Sequence, residues 1–418
     1  MTDADIVVVG AGASGLSLAW RLVSGAHKAD EAPTVLLVEP PPGPVRSPAR
    51  TWCFWEEGPG EFDDVVTASW DRLSVTGRDG RTTSGAGGLT YKMIRSGHFT
   101  RALDERLSTW EGVGRVTGTV SAVHDVPDGA EVAGVDAGGR PFRLRSRWVF
   151  DSRPPQRLPP ARTTLLQHFR GWFLRTERHS FDASVAQLMD FRTQQPLRGL
   201  AFVYLLPLSE DEALVEYTVF SPSVLTAEAY ETALRRYIED TRRLGRYTVT
   251  ATEQGVIPMT DGVFPRRTGR SVFRIGAAAG ATRPSTGYTF TALQRQTAAV
   301  AASHRAGLTP LPPDPHSWRH RTMDAVLLRA LTTGRVDGAG FFAGLFRRNS
   351  TSRVLRFLEG RSTPAEEWTI GLRTPVLPMV RSLAELPFLR RRPGHALASG
   401  PTGPTGPTAA VDQGEAQG

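Results

Sequence analysis

The chain opens on an unbroken apolar run, DIVVV at 5–9, which reads as a short parallel strand buried on both faces. Leu16, Leu18, Ala19 and Leu22 then recur at helical spacing and predict a helix over about 14–23, with TVLLVE at 34–39 as a second strand. The prolines of 40–48 break the pattern and take the chain out of this layer. Residues 115–150 alternate as short strands, with turns at Pro127–Asp128–Gly129 and Gly138–Gly139. Residues 199–220 read as two antiparallel strands joined around Ser209–Glu212, and a helix is expected over about 227–244. SVFRI at 271–275 is a returning strand, leading through a glycine-rich loop to a helix over roughly 289–305. Residues 316–360 read as mainly helical. From about Pro393 the chain carries GPTGPTGPT and no core-forming residues, the pattern of a disordered tail; three G-x-y repeats are too few for a triple helix.

The turn after the first strand is GAGASG, with Gly10, Gly12 and Gly15 on the G-x-G-x-x-G spacing. The first glycine allows the tight turn, the second lets the backbone, with Ala13 beside it, approach a pyrophosphate, and the third lets the helix pack on the strand. The helix N-terminus then offers free N–H groups to phosphate oxygens. The motif alone is weak, but Glu39 ends the next strand at the spacing of a carboxylate that accepts from ribose hydroxyls. The second glycine-rich segment, RIGAAAGATRPSTGYTF at 274–290, points to FAD rather than NAD. Gly276, Gly280, Thr286, Gly287 and Tyr288 lie on a loop opening a helix, where a flavin ring would meet a positive dipole end. Many flavoproteins carry an aspartate where this chain has Ala277.

These elements predict an α/β fold: a discontinuous, Rossmann-like FAD-binding domain from 1–50, 85–155 and 250–308, with an antiparallel-sheet substrate domain from 51–84 and 156–249. A helical C-terminal part follows over 309–392, then the tail over 393–418.

The net charge of +8 is carried by scattered arginines, with Lys28 and Lys92 the only lysines. No basic stripe is interleaved with aromatics, so nucleic acid is not an expected partner. The single cysteine, Cys53, excludes a disulfide framework and a cysteine-rich metal site, and His98 and His168 have no metal-spaced partner. No metal site is expected. No apolar run is long enough to span a bilayer, and MTDAD lacks the basic start of a signal peptide, so a cytoplasmic location is expected.

Read together, DIVVVGAGASGLSLA, RTWCFWE (50–56), YKMIRSGHF (91–99), VFDSRPP (149–155), QHFRGWFLRT (167–176), LMDFR (188–192), FVYLLPLSEDEALVEYTVFS (202–221), the TGY loop and FFAGLFRR (341–348) resemble the flavin-dependent lycopene β-cyclases of bacteria and plants. The resemblance covers nearly all of the chain except the tail, and those enzymes also lack the aspartate near position 277. It implies cyclisation of the ψ-ends of lycopene to β-ionone rings without net redox change, with FAD in its reduced form and NAD(P)H as reductant.

Such a reaction protonates an unactivated alkene, so it needs an acid kept neutral by burial. Glu216 is the candidate: in ALVEYTVF it shares one strand face with Leu214, Thr218 and Phe220, and Ala213, Val215, Tyr217 and Val219 take the other. In the resembling family a glutamate in a Phe/Ile-x-Glu-(Asp/Glu)-Thr motif is the essential acid; here Tyr217 stands at the second acidic position. A plain strand glutamate reaching solvent or an arginine is the alternative. Tyr288, Phe290 and Trp172 are candidates to face a cation, or else core aromatics. Arg50 is a candidate for the cofactor phosphates, or else a surface arginine. A water-insoluble substrate implies peripheral contact with the inner face of the cell membrane. FFAGLFRR and VLPMVRSLAELPFLRRR (376–392) are the apolar–basic stretches that would lie in the interface or pack on the protein's own core. A flavin monooxygenase, a geranylgeranyl reductase and a non-catalytic carotenoid or flavin carrier remain open alternatives, and oligomeric state is unassigned.

Overall fold

The computed structural model describes residues 2–25 and 32–394, so the expected tail falls outside the described residues from 395 onward. In chain order, β1 (Ala4–Val9), α1 (Ala13–Ser24) and β2 (Val35–Glu39) are followed by β3 (Thr51–Glu56), β4 (Ala68–Thr76), β5 (Thr82–Arg95) and α2 (Ser96–Ser108). Next come β6 (Val113–Val126), β7 (Gly129–Asp136), β8 (Pro141–Asp151), β9 (Thr164–Thr176), β10 (Val185–Asp190), β11 (Leu200–Pro207) and β12 (Glu212–Ser221). Then α3 (Ala227–Arg236) runs into a π turn at Tyr237–Thr241, ahead of β13 (Tyr247–Thr260), β14 (Val272–Arg274) and α4 (Phe290–Arg305). The C-terminal helices are α5 (Trp318–Thr332), α6 (Gly338–Arg348), α7 (Thr351–Glu359), α8 (Pro364–Leu372) and α9 (Val376–Glu385).

Five parallel strands, in the order β14-β8-β1-β2-β6, make the first layer. The far halves of β6 and β8 run on past it and pair antiparallel with β7. The strand order reverses beside β1, so the crevice at its C-terminal end is where a nucleotide belongs. DIVVV is apolar throughout because both faces are covered: Ile6 and Val8 pack with α1, α2 and α4, and Val7 and Val9 pack under the β7 meander.

The second sheet has the order β13-β9-β12-β11-β10-β4-β5-β3 and is antiparallel except between β10 and β4. One face meets α5, α6 and α7 through Leu327, Leu328, Phe342, Phe346 and Leu355. The other is covered by α3 and the π turn through Tyr230, Leu234 and Ile238. The alternation read in β12 holds: Leu214 and Phe220 pack in the first of these cores, Ala213, Val215, Tyr217 and Val219 in the second.

Two expectations change, and one open alternative is decided. The expected domain boundaries at 85 and 250 cut through single strands: β5 pairs with β3 as far as Arg95, and β13 pairs with β9 as far as Thr260. Ladder hydrogen bonding thus carries the second sheet past both points. The helix expected over 227–244 stops at Arg236, the chain continuing as the π turn. FFAGLFRR lies on α6 with Phe341, Phe342, Leu345 and Phe346 buried, so its apolar face belongs to the protein's own core.

Candidate active site

The first turn builds a cradle. Helix α1 starts at Ala13 with Gly12 as its N-cap and no side chain capping it, so first-turn N–H groups are left for a ligand. A Cβ on Gly15 would stand 1.9 Å from the Gly10 carbonyl oxygen, whereas one on Gly12 would meet nothing within 4 Å. The turn is closed where helix meets strand and open where a phosphate would pass, a cradle that fits the pyrophosphate of FAD. Glu39 ends β2, its carboxylate accepting from Arg115 at 2.7 Å and paired with Arg46 at 2.8 Å. The rim is completed by Ser152, whose hydroxyl donates to Val9 O at 2.9 Å.

Opposite lies the second loop. Gly276 has φ +64°, and a Cβ there would collide with the Ser14 hydroxyl of the first turn, so glycine brings the two loops together. The Gly276 N–H donates to buried Gln296 on α4 at 2.8 Å. Ala277 lies in the 3-10 turn Gly276–Ala279, which ends at Gly280. The TGY segment is tied at three points: Arg283 N–H to Tyr288 O (2.8 Å), Gly287 N–H to Arg283 O (2.9 Å) and the Thr286 hydroxyl to Leu358 O on α7 (3.1 Å).

Beyond this loop the second sheet presents a carboxyl group. Glu216 is only 9% exposed, and its Oε1 accepts from the Thr218 hydroxyl at 2.9 Å. Burial pushes its pKa well above the carboxylate range, and the negative charge of a second glutamate, Glu253, pushes the same way. Nothing local in the sequence singles out Glu253. It is opposed in register to Gly171 on β9, and Gly171 is opposed in turn to Glu216, so both glutamates project from one face across the middle strand. The two carboxyl groups come together over Gly171, and Glu253 also accepts from the Thr51 hydroxyl at 2.7 Å. Arg50, a candidate for the cofactor phosphates, comes to lie beside Glu253. No local spacing links residues 216 and 253; only the register of three strands does.

Aromatic rings enclose the acid. Tyr204 opposes Glu216 across β11–β12. Its hydroxyl stands 3.5 Å from that of Tyr288, which packs edge-on against Trp55 at 4.6 Å, with Tyr91 5.9 Å beyond. Burial raises the pKa of Tyr91, Tyr204 and Tyr288, so their hydroxyls stay neutral. Phe290 instead stacks on Phe54 at 4.6 Å in the core under the first layer. Trp172 is not brought to the acid: it opposes Val215, faces α3 and lies under Arg235. Strand parity puts it on the wrong side of the sheet, one residue from Gly171. Tyr217 lies on that side too, near Tyr230. His168 hydrogen-bonds Tyr230 and Ser221, and burial lowers its pKa to about 4, so it is a neutral structural contact. Among the described residues no group of His, Cys, Asp and Glu could hold a metal ion.

A parallel layer with an open glycine cradle, an antiparallel meander and a returning loop facing a second sheet define the FAD-binding flavoprotein class of fold. Solved structures share it: a flavoprotein/dehydrogenase from Cytophaga hutchinsonii (TM-score 0.62, 13% identity, covering 91% of this chain and 99% of that one) and a geranylgeranyl bacteriochlorophyll reductase-like protein from Thermoplasma acidophilum (0.59, 12%, 92% and 99%). At such identities the likeness is one of fold alone. Within that class the chain belongs to the lycopene cyclase family, whose model, described as "Lycopene cyclase protein", matches residues 5–384. It is also 27% identical over 398 residues to the lycopene beta-cyclase of Pseudescherichia vulneris, covering 90% of this chain and 95% of that protein.

Proposed function

We propose that this protein is a lycopene β-cyclase, closing the ψ-ends of a linear carotene into β-ionone rings without net redox change. The observation that carries this reading is the placement of Glu216: a buried carboxyl group, its pKa pushed well above the usual carboxylate range, beside Tyr204 and Tyr288 with Trp55 and Tyr91 packed behind them. Glu216 donates its proton to the terminal alkene carbon, leaving a tertiary cation. Attack by the internal double bond closes the ring, and a ring proton returns to the carboxylate. The electron-rich ring faces favour the cation, and the dry surroundings deny it water. Gly10–Gly15, Glu39, Gly276, Gly280 and Thr286–Tyr288 would hold FAD, which, kept reduced by NAD(P)H, would supply negative charge to favour that cation.

The test is expression in bacteria that accumulate lycopene, with pigments separated and weighed by mass spectrometry. The expected product has the mass of lycopene and the spectrum of γ- or β-carotene, and the purified protein releases FAD on heating. A product changed in mass by oxygen or hydrogen would mark a monooxygenase or reductase, and an unchanged pigment a carrier.

The substrate is delivered, in this reading, from the inner face of the membrane. No helix among the described residues is long and apolar enough to cross one. Helices α8 and α9 instead carry Trp368, Leu372, Val376, Leu377 and Val380 on the outside, followed by Phe388, which is 85% exposed. Arg381 and Arg390–Arg392 lie among and after them, suiting anionic headgroups. The double substitution Trp368→Ser/Leu377→Ser is expected to cut co-sedimentation with anionic phospholipid vesicles at least about tenfold. Undiminished binding would move the contact elsewhere.

A further inference from the structure

In β-sheets a side chain normally separates neighbours two strands apart. Here the middle strand has none at the decisive place. A Cβ on Gly171 would stand 3.1 Å from Glu253 Cγ, 3.4 Å from Glu216 Cβ and 2.9 Å from Leu214 Cδ1. The backbones of β12 and β13 are roughly 9–10 Å apart, a gap two glutamate side chains can close only if nothing stands between them. Gly171 thus makes room for a carboxyl pair. Each member is tied from its own side, Glu216 by Thr218 and Glu253 by Thr51.

We propose that Glu216 and Glu253 form a one-proton pair across Gly171, in which Glu253 is the positioning residue that keeps the proton on Glu216 between turnovers. This rests on the cyclase reading for what the proton does, but the pair itself is a claim about structure. Two carboxylates in contact resist being ionised together, so one proton stays with them. Glu216 is the member that keeps it, being the more deeply buried. Glu253 is half-buried, takes the Thr51 hydrogen bond, and has the Arg50 and Arg95 guanidiniums nearby. The other polar groups facing the pair are Cys53, Tyr91, Tyr204 and Tyr288, all neutral. When the Glu216 O–H bond breaks and the substrate C–H bond forms, the pair is left doubly ionised beside the cation. That state both stabilises the positive charge and draws the ring proton back, so Glu216 recovers its O–H and the proton count closes.

The pair also differs from what the family motif suggests. There the second acidic residue follows the first directly, but position 217 is on the opposite face of β12, where this chain has tyrosine. The second carboxylate comes instead from β13.

The test is infrared titration of the flavin-loaded protein, following the carbonyl band of the buried carboxylic acid, assigned by its absence from the Glu216→Gln/Glu253→Gln double variant. In Glu253→Gln the band is expected to disappear at a pH lower than in wild type by at least about one unit, with partial return in Glu253→Asp. Gly171→Ala, which wedges a methyl group between the two, is expected to move it the same way and serves if Glu253→Gln fails to fold. An unmoved midpoint in the folded variants would overturn the proposal. Lycopene turnover by the wild type reports on the cyclase reading alone, so either idea can fail without the other.

Discussion

Glu216→Gln is expected to abolish ring closure, lowering turnover by about 10²–10⁴-fold, while FAD content stays at the wild-type level. Glutamine keeps the shape of glutamate and can still accept from the Thr218 hydroxyl at Oε1, so packing among Tyr204, Tyr288 and Trp55 is preserved. What it lacks is a proton that can leave. The same substitution has a stability signature. The folded-state pKa of Glu216 lies well above its ordinary value of 4.5, so between these two values the folded protein binds a proton that the unfolded chain has released. Stability from this group is fully present below the unfolded-chain value and is lost as pH rises through the folded-state one. The wild type is therefore expected to lose melting temperature on going from acid to alkaline buffer more steeply than Glu216→Gln. Turnover retained in Glu216→Gln would remove this residue from the mechanism. Equal pH slopes of melting would show that its carboxyl is not held neutral in the folded protein.

How much of this could be read without coordinates follows from where the deciding contacts lie. The opening unit could, because strand, glycine turn, helix and Glu39 are local in sequence and each residue type has one geometric task there. The face of β12 that carries Glu216 could too, because side chains on a strand alternate strictly. Glu253 could not: it sits on β13 within 251–258, where polar and apolar residues do not alternate and every position is intermediate in burial, so nothing marks one glutamate. Its meeting with Glu216 depends on two separate strand registers and on a missing side chain between them. Trp172 misled for the same reason, since a motif places a residue near a site but strand parity decides on which side it stands. Residues 341–348 and 376–392 looked alike as apolar–basic stretches, yet α6 is covered by the sheet and α9 is largely outside. Amphipathicity gives a helix one face to bury, and only tertiary packing says against what.

Asp324→Ala is expected to produce the largest loss of stability of any single change considered, about 3–5 kcal/mol, seen as a fall of several degrees in melting temperature. Asp324 on α5 and Arg283 at the start of the TGY segment are both 2% exposed at the side chain and meet at 3.1 Å. The Ser285 hydroxyl adds a hydrogen bond of 2.6 Å to the same carboxylate oxygen. Removing the carboxylate leaves a guanidinium buried against Phe357 and the Gly360 backbone without its ion-pair partner, and its Nη1 already lacks a hydrogen-bond partner. The double replacement Arg283→Met/Asp324→Val removes both charges at closer to the original volume and is expected to recover most of the loss, because desolvating an ion pair offsets much of its attraction. Activity need not recover with it. Asp324 also holds the Ser285 hydroxyl in the loop that places Tyr288 against Trp55 and Tyr204, and the double replacement removes that tie. A double variant that melts near the wild-type temperature but cyclises poorly would assign the pair to shaping the loop; one restored in both respects would reduce it to a structural anchor.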